Sequence, residues 1–315
     1  MVLPMLRHRK VESSVMLFTV RDFWAYLRVP VALGTLIPAC NAQTPSAQPA
    51  PEAAATVELV RDAARYQQAE LQHTGWALRY RVHRADSKED TVRDLVETAS
   101  GNVARTLQRG GVSLPPDQEH AELERLHSLT TAEVARHHHN GEAIDHYGSE
   151  LVSAMPDAMD YRLASGQPQL PNVPGHQIVL DYDPRPGFKP SGTVQSLLTG
   201  LAGRMWIDAD THHLLRIEVH VTRNLSLALG LLARVYQGGT LTYEQRPVGE
   251  GHYAYSHIDI HVLLRELLVK TAPYQLSLDT SDVVLLPAVP TVEQAVELLL
   301  ADEKTARPPA AAATH

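Results

Sequence analysis

The feature that most constrains the fold is a repeated two-residue alternation in the second half of the chain. Leu215, Ile217, Val219 and Val221 alternate with Arg216, Glu218 and His220, and Ile258, Ile260 and Val262 alternate with His257, Asp259 and His261. Successive side chains of a strand point to opposite faces, so each segment carries one apolar and one polar face. Strands of this kind belong to an antiparallel sheet covered on one side only. Trp76, Leu78, Tyr80 and Val82 alternate with Ala77, Arg79, Arg81 and His83 and extend the pattern to the first half. Further strands are expected at 91–99 and 103–109, flanking Ser100-Gly101-Asn102, and at 159–165, 176–183, 203–209, 239–247 and 267–278.

Helical periodicity occupies the remaining space. Thr56 can cap a helix to about Gln72, with Val57, Val60, Ala64 and Leu71 on one stripe. Residues 117–139 read as helix after Pro115-Pro116, and Thr130 with Glu133 matches a capping box that would divide it. Another helix is expected at 142–155, ending at Pro156, and a last one at 291–303 through Val292, Val296, Leu299 and Leu300. The sum is an α+β fold in which helices cover the apolar face of a large, curved antiparallel sheet.

Composition sets limits on chemistry. The chain has 315 residues, one cysteine and a formal net charge of −8 from 28 basic and 36 acidic side chains. One cysteine excludes an internal disulfide framework and zinc sites built on several thiolates. The acidic balance argues against nucleic-acid binding. An aromatic content of 5% argues against a carbohydrate-binding or base-stacking surface.

The first forty residues read as an export signal. Five basic residues precede the uncharged run 29–39, VPVALGTLIPA, which at 1.5 Å per residue gives about half a bilayer core. Translation from Met16 would leave a leader of ordinary length. Ile37-Pro38-Ala39-Cys40 resembles a lipobox, which makes Cys40 a lipid-attachment candidate, while Cys40-Asn41-Ala42 offers small residues for cleavage before Gln43. Residues 41–55 read as a flexible spacer, 56–304 as one α+β domain, and 305–315 as a disordered tail.

No local motif supports catalysis. The chain lacks a nucleophile elbow, a zinc-protease helix motif and a phosphate-cradling loop. His137, His138 and His139 are consecutive and diverge by about 100° each on a helix. His257, Asp259 and His261 share one strand face, which is the better metal candidate, but a solvent-facing polar row uses the same pattern. His212 and His213 follow the turn sequence Asp208-Ala-Asp-Thr211 and are expected to be exposed. The pairs Asp208/Asp210 and Asp181/Asp183 lie in or next to expected turns. The expectation is a non-enzymatic protein with no cofactor and no resident metal.

Asp183-Pro-Arg-Pro-Gly-Phe-Lys-Pro190, Gly203-Arg-Met-Trp-Ile-Asp208 through Arg216-Ile-Glu218, and Gly230-Leu-Leu-Ala-Arg234 through Gly238-Gly-Thr240 resemble uncharacterised bacterial envelope proteins. That group is itself similar to the lipoprotein-localisation (LolA/LolB-like) superfamily. The resemblance spans roughly 57–280 and implies an unclosed β-barrel around helices, with an apolar cavity for acyl chains. It carries over no catalytic residue. Trp76, Leu78, Tyr80, Val82, Leu180, Trp206, Leu215, Ile217, Ile258 and Ile260 are the cavity-lining candidates, and a filled core would use the same residues. The implied partner is a lipid or lipoprotein acyl chain, in a periplasmic or outer-membrane lipid-anchored protein. An envelope scaffold or sensor that contacts a protein partner is the alternative, and a histidine-dependent metalloprotein a third.

Overall fold

The computed structural model describes residues 51–71, 75–227, 233–266 and 270–306. The leader 1–40 with Cys40, the spacer to residue 50 and the tail from 307 lie outside the described residues. In chain order the elements are α1 (Pro51–Leu71), β1 (Ala77–Asp86), β2 (Asp90–Thr98), β3 (Gly101–Arg109) and β4 (Val112–Ser113). Helices α2 (Pro116–His127) and α3 (Thr131–Ala158) follow, then β5 (Met159–Leu163), β6 (Gln177–Pro184) and α4 (Thr193–Leu198). The second half adds β7 (Leu201–Asp208), β8 (Leu214–Val221), β9 (Leu225–Leu227), β10 (Ala233–Val235), β11 (Thr240–Gly249), β12 (His252–Glu266), β13 (Lys270–Leu286) and α5 (Val292–Ala306).

The thirteen strands form one antiparallel sheet in the order β4-β3-β2-β1-β13-β12-β11-β8-β7-β6-β5, with β9 and β10 attached beside β12. The sheet does not close, because β4 and β5 remain at opposite ends of that order. The fold is α+β, with a large curved sheet and helices against its apolar surface. No helix among the described residues is long and apolar enough to cross a membrane.

Register defines the two faces. Leu180, Met205, Ile217, Tyr243, Ile258 and Leu278 are successive cross-strand neighbours, and so lie on one face, here called inner. Val60 and Ala63 of α1 and the C-terminal half of α3 pack on that face over β5–β8, with Leu180, Tyr182, Met205 and Ile207. The outer face carries a ladder of ion pairs: Arg204 to Asp181 at 2.7 Å, Arg216 to Glu218 at 2.6 Å and to Glu244 at 2.7 Å, and His257 to Asp279 at 2.7 Å. Helix α5 instead covers the outer face of β2 and β3, where Val96 and Val103 are fully buried against Val292, Ala295 and Leu299.

Helix α3 is the connector between these regions. Val134 near its start joins the α5 cluster, and His138 lies against Gly101 at the β2–β3 turn. Leu151, Ala154 and Met155 near its end join the α1 cluster. Its 28 residues span about 42 Å, from one side of the unclosed sheet to the other.

Several elements differ from the sequence reading, among them β13, which runs to Leu286 beyond the expected 278, and α4, which was not expected. Helix α1 starts at Pro51, five residues before Thr56, because proline is tolerated in a first turn and alanines follow it. The helices expected at 130–139 and 142–155 are one continuous helix, α3, which tolerates Asn140-Gly141 and holds Pro156 within its final turn. Strands β4, β9 and β10 were not expected, each being only two or three residues long.

Candidate functional site

Seven of the ten cavity-lining candidates share the inner face: Leu78, Tyr80, Val82, Leu180, Ile217, Ile258 and Ile260. Leu78, Tyr80 and Val82 are buried with Leu95, Tyr255, Leu278 and Leu285, and Leu180 has no exposure. Trp206 and Leu215 lie on the outer face, where the loop after β5 buries them with Val179, Leu170 and Val173. A bulge in β8 causes the reversal: Trp206 pairs with Arg216 but Ile207 pairs with Leu214, so Leu215 leaves the alternation of Ile217 and Val219. The Trp206 indole donates to the Pro168 carbonyl at 2.7 Å, which holds that loop down. Trp76 precedes β1 and stacks on His252 at 4.4 Å.

The middle of the inner face differs from its flanks. Val219, Leu241, Ile260 and Leu276 are cross-strand neighbours on β8, β11, β12 and β13, and Ile217, Tyr243, Ile258 and Leu278 form the next row. Val219, Leu241, Ile258 and Ile260 are half-exposed, and among the described residues they join none of the packed clusters. The packed groups lie to either side. Val60, Leu180 and Met205 fill one, and Leu78, Tyr80 and Tyr255 the other. Across three strands at about 4.8 Å spacing, this leaves an aliphatic strip about 10 Å wide.

A polar group borders the strip beneath α1. Gln67 donates to the Tyr243 hydroxyl at 3.3 Å, and Tyr243 donates to Gln245 at 3.2 Å. Burial raises the Tyr243 hydroxyl to about 12 and also pushes Tyr80 and Tyr255 upward, so all three stay neutral donors near neutral pH. His213 departs from its expectation as an exposed turn residue. It is buried between the rings of Tyr66 at 4.7 Å and Tyr253 at 4.0 Å. Glu70 of α1 stands 3.9 Å from the His213 ring and 3.7 Å from His252, and Asp62 pairs with His212 at 3.1 Å. The preceding turn gave the only signal available in the sequence, and stacking partners from two distant elements overrode it.

The remaining candidates separate. His257 and His261 lie on the outer face and pair with Asp279 and Asp259, respectively, as a polar row would. Asp181 engages Arg204, and Asp183 engages Arg162. Asp208 accepts backbone N–H groups from Asp210 and Thr211 and so shapes the β7–β8 turn. His137 and His138 are exposed on α3. Among the described residues, no group of three or more His, Cys, Asp or Glu side chains is arranged to hold a metal ion.

No family model matches the chain, and no curated protein matches it. Among solved structures it is similar to a DUF1329 family protein from Desulfovibrio piger, at 10% identity and a TM-score of 0.27. The match covers 72% of this chain and 92% of that one.

Proposed function

We propose that this is a non-enzymatic cell-envelope protein that holds an acyl chain of a lipid or lipoprotein against the inner face of its half-barrel. The observation that carries the reading is the half-exposed strip of Val219, Leu241, Ile258 and Ile260 between two packed flanks. Each methylene moved out of water is worth about 0.8 kcal/mol, so ten would contribute about 8 kcal/mol before ordering costs. The basic, then apolar, leader supports export, with Cys40 as the site of lipid attachment in a tethered form.

Mass spectrometry of solvent extracts from the purified protein, together with titration of a fluorescent fatty acid, tests the reading. Bound acyl lipid and saturable binding are expected. Aspartate at both Ile258 and Ile260 should weaken binding by about tenfold or more while leaving the circular dichroism spectrum intact, because the strip is half-exposed. Empty extracts with no fatty-acid binding would sink it and favour an envelope scaffold, a reading supported by the close packing around Leu78, Tyr80 and Leu180. The mass of the mature N-terminus decides between lipid on Cys40 and a start at Gln43.

A further inference from the structure

We infer that the far end of the sheet carries a binding site for a phosphate group, built on Arg234 and Arg265. These two arginines are direct cross-strand partners on β10 and β12. Ser226 stands opposite Arg234 on β9, and Thr271 opposite Arg265 on β13. The row therefore reads Ser, Arg, Arg, Thr across four strands, all hydrogen-bond donors and without a carboxylate. Like charges directly opposite each other destabilise a strand pair, so this arrangement costs stability unless an anion sits between them. Two other arginines on the same face are paired, Arg204 with Asp181 and Arg216 with Glu244.

The Nε atoms of Arg234 and Arg265 are buried without a hydrogen bond, as is that of the paired Arg216, so an anion would be met by the terminal guanidinium nitrogens. The Arg234 guanidinium lies over the Tyr236 ring at 5.7 Å, which orients it without neutralising it. Ser226 and Thr271 are exposed, so the row opens to solvent at both ends. Two guanidinium forks flanked by two hydroxyls match the several acceptor oxygens of a phosphate. Leu263, 42% exposed and two residues before Arg265 on the same strand face, offers apolar contact to a phosphate carried by a lipid.

The site lies on the outer face, so its test is independent of acyl-chain binding inside. Inorganic phosphate is titrated calorimetrically at low ionic strength, and sedimentation is compared with vesicles of phosphatidylcholine alone and of phosphatidylcholine containing phosphatidylglycerol. The wild-type protein is expected to bind at least one probe, with Arg234→Gln and Arg265→Gln weakening it about tenfold or more. Arg162→Gln, which removes the partner of Asp183 at the far strand β5, should leave binding unchanged. Saturable phosphate binding assigns a free phosphate, and binding only to phosphatidylglycerol vesicles assigns a lipid headgroup. Binding to neither probe overturns the inference, as do glutamine variants that bind like the wild type. So does a lower unfolding midpoint in both variants, since relieved repulsion should leave each at least as stable.

Discussion

His213 is the residue at which local reasoning and the folded chain part most sharply. Read alone, a histidine after Asp-Ala-Asp-Thr is a turn residue, yet Tyr66 from α1 and Tyr253 from β12 enclose it. Burial lowers the imidazole below its ordinary 6.5, against the opposing pull of Asp208, so the folded protein favours the neutral ring. The unfolded chain then takes up the proton first as pH falls, and stability should decline below about 6.5. Phenylalanine at 213 keeps the stack but cannot titrate. Urea-unfolding midpoints measured from pH 8 to pH 5 should fall less steeply for His213→Phe than for the wild type, and parallel curves would reject this role. Gly203 shows the opposite kind of legibility. An added Cβ there would lie 1.9 Å from the Glu218 carbonyl, beneath the bond from the Tyr182 hydroxyl to that carbonyl. The sequence displays a glycine in a strand, but only the cross-strand pair explains it.

At the scale of elements, the alternating strands and the capping box were plain in the sequence because their causes are local. Thr130 accepts from the Glu133 N–H, and the Glu133 carboxylate accepts from the Thr130 N–H at 3.0 Å, which starts α3 where expected. How the sheet edges are protected was not legible, because it depends on side chains meeting backbone far away. Beyond the short β4, Glu122 of α2 accepts from the Thr106 N–H at 2.7 Å, and Arg125 donates to the Ala104 carbonyl at 2.6 Å. Beyond β5, the amides of Gln167 and Gln169 bond both backbone groups of Val179 and Gln177 on β6. These amides act as a substitute strand and blunt an exposed ladder. Burial alone would raise the Glu122 carboxyl, but Arg125 and the Thr106 N–H outweigh it and hold the group below its usual range. That stabilisation is present above about pH 4.5 and is lost on acidification. Glu122→Gln should show a shallower acid transition, and Gln169→Ala should raise aggregation on mild heating, seen by light scattering. Unchanged behaviour in both would show the edges need no such cover.

Over the whole molecule, fold class followed from the alternation, whereas the placement of α5 did not. The same apolar stripe of Val292, Val296 and Leu299 could have joined the helices on the inner face, but it seals the outer face of β2 and β3. Removing residues 287–306 should therefore expose Val96 and Val103 and cost about 4 kcal/mol, more than one large buried side chain. Hydrogen exchange should quicken first in β2 and β3, while β6 and β7 keep their protection. Equal loss across the sheet would mean that α5 supports the entire fold and not one end of it.

The sheet order also sets a timetable for assembly. Its central seam joins β1 to β13, with Ala77 opposite Leu286, so the first strand made waits for the last. Until the C-terminus arrives, the chain can form two partial sheets, each ending in an unpaired ladder. Contacts this distant in sequence slow folding and prolong exposure of sticky intermediates. The strand order itself therefore leaves the edges of β1 and β12 open until β13 is in place.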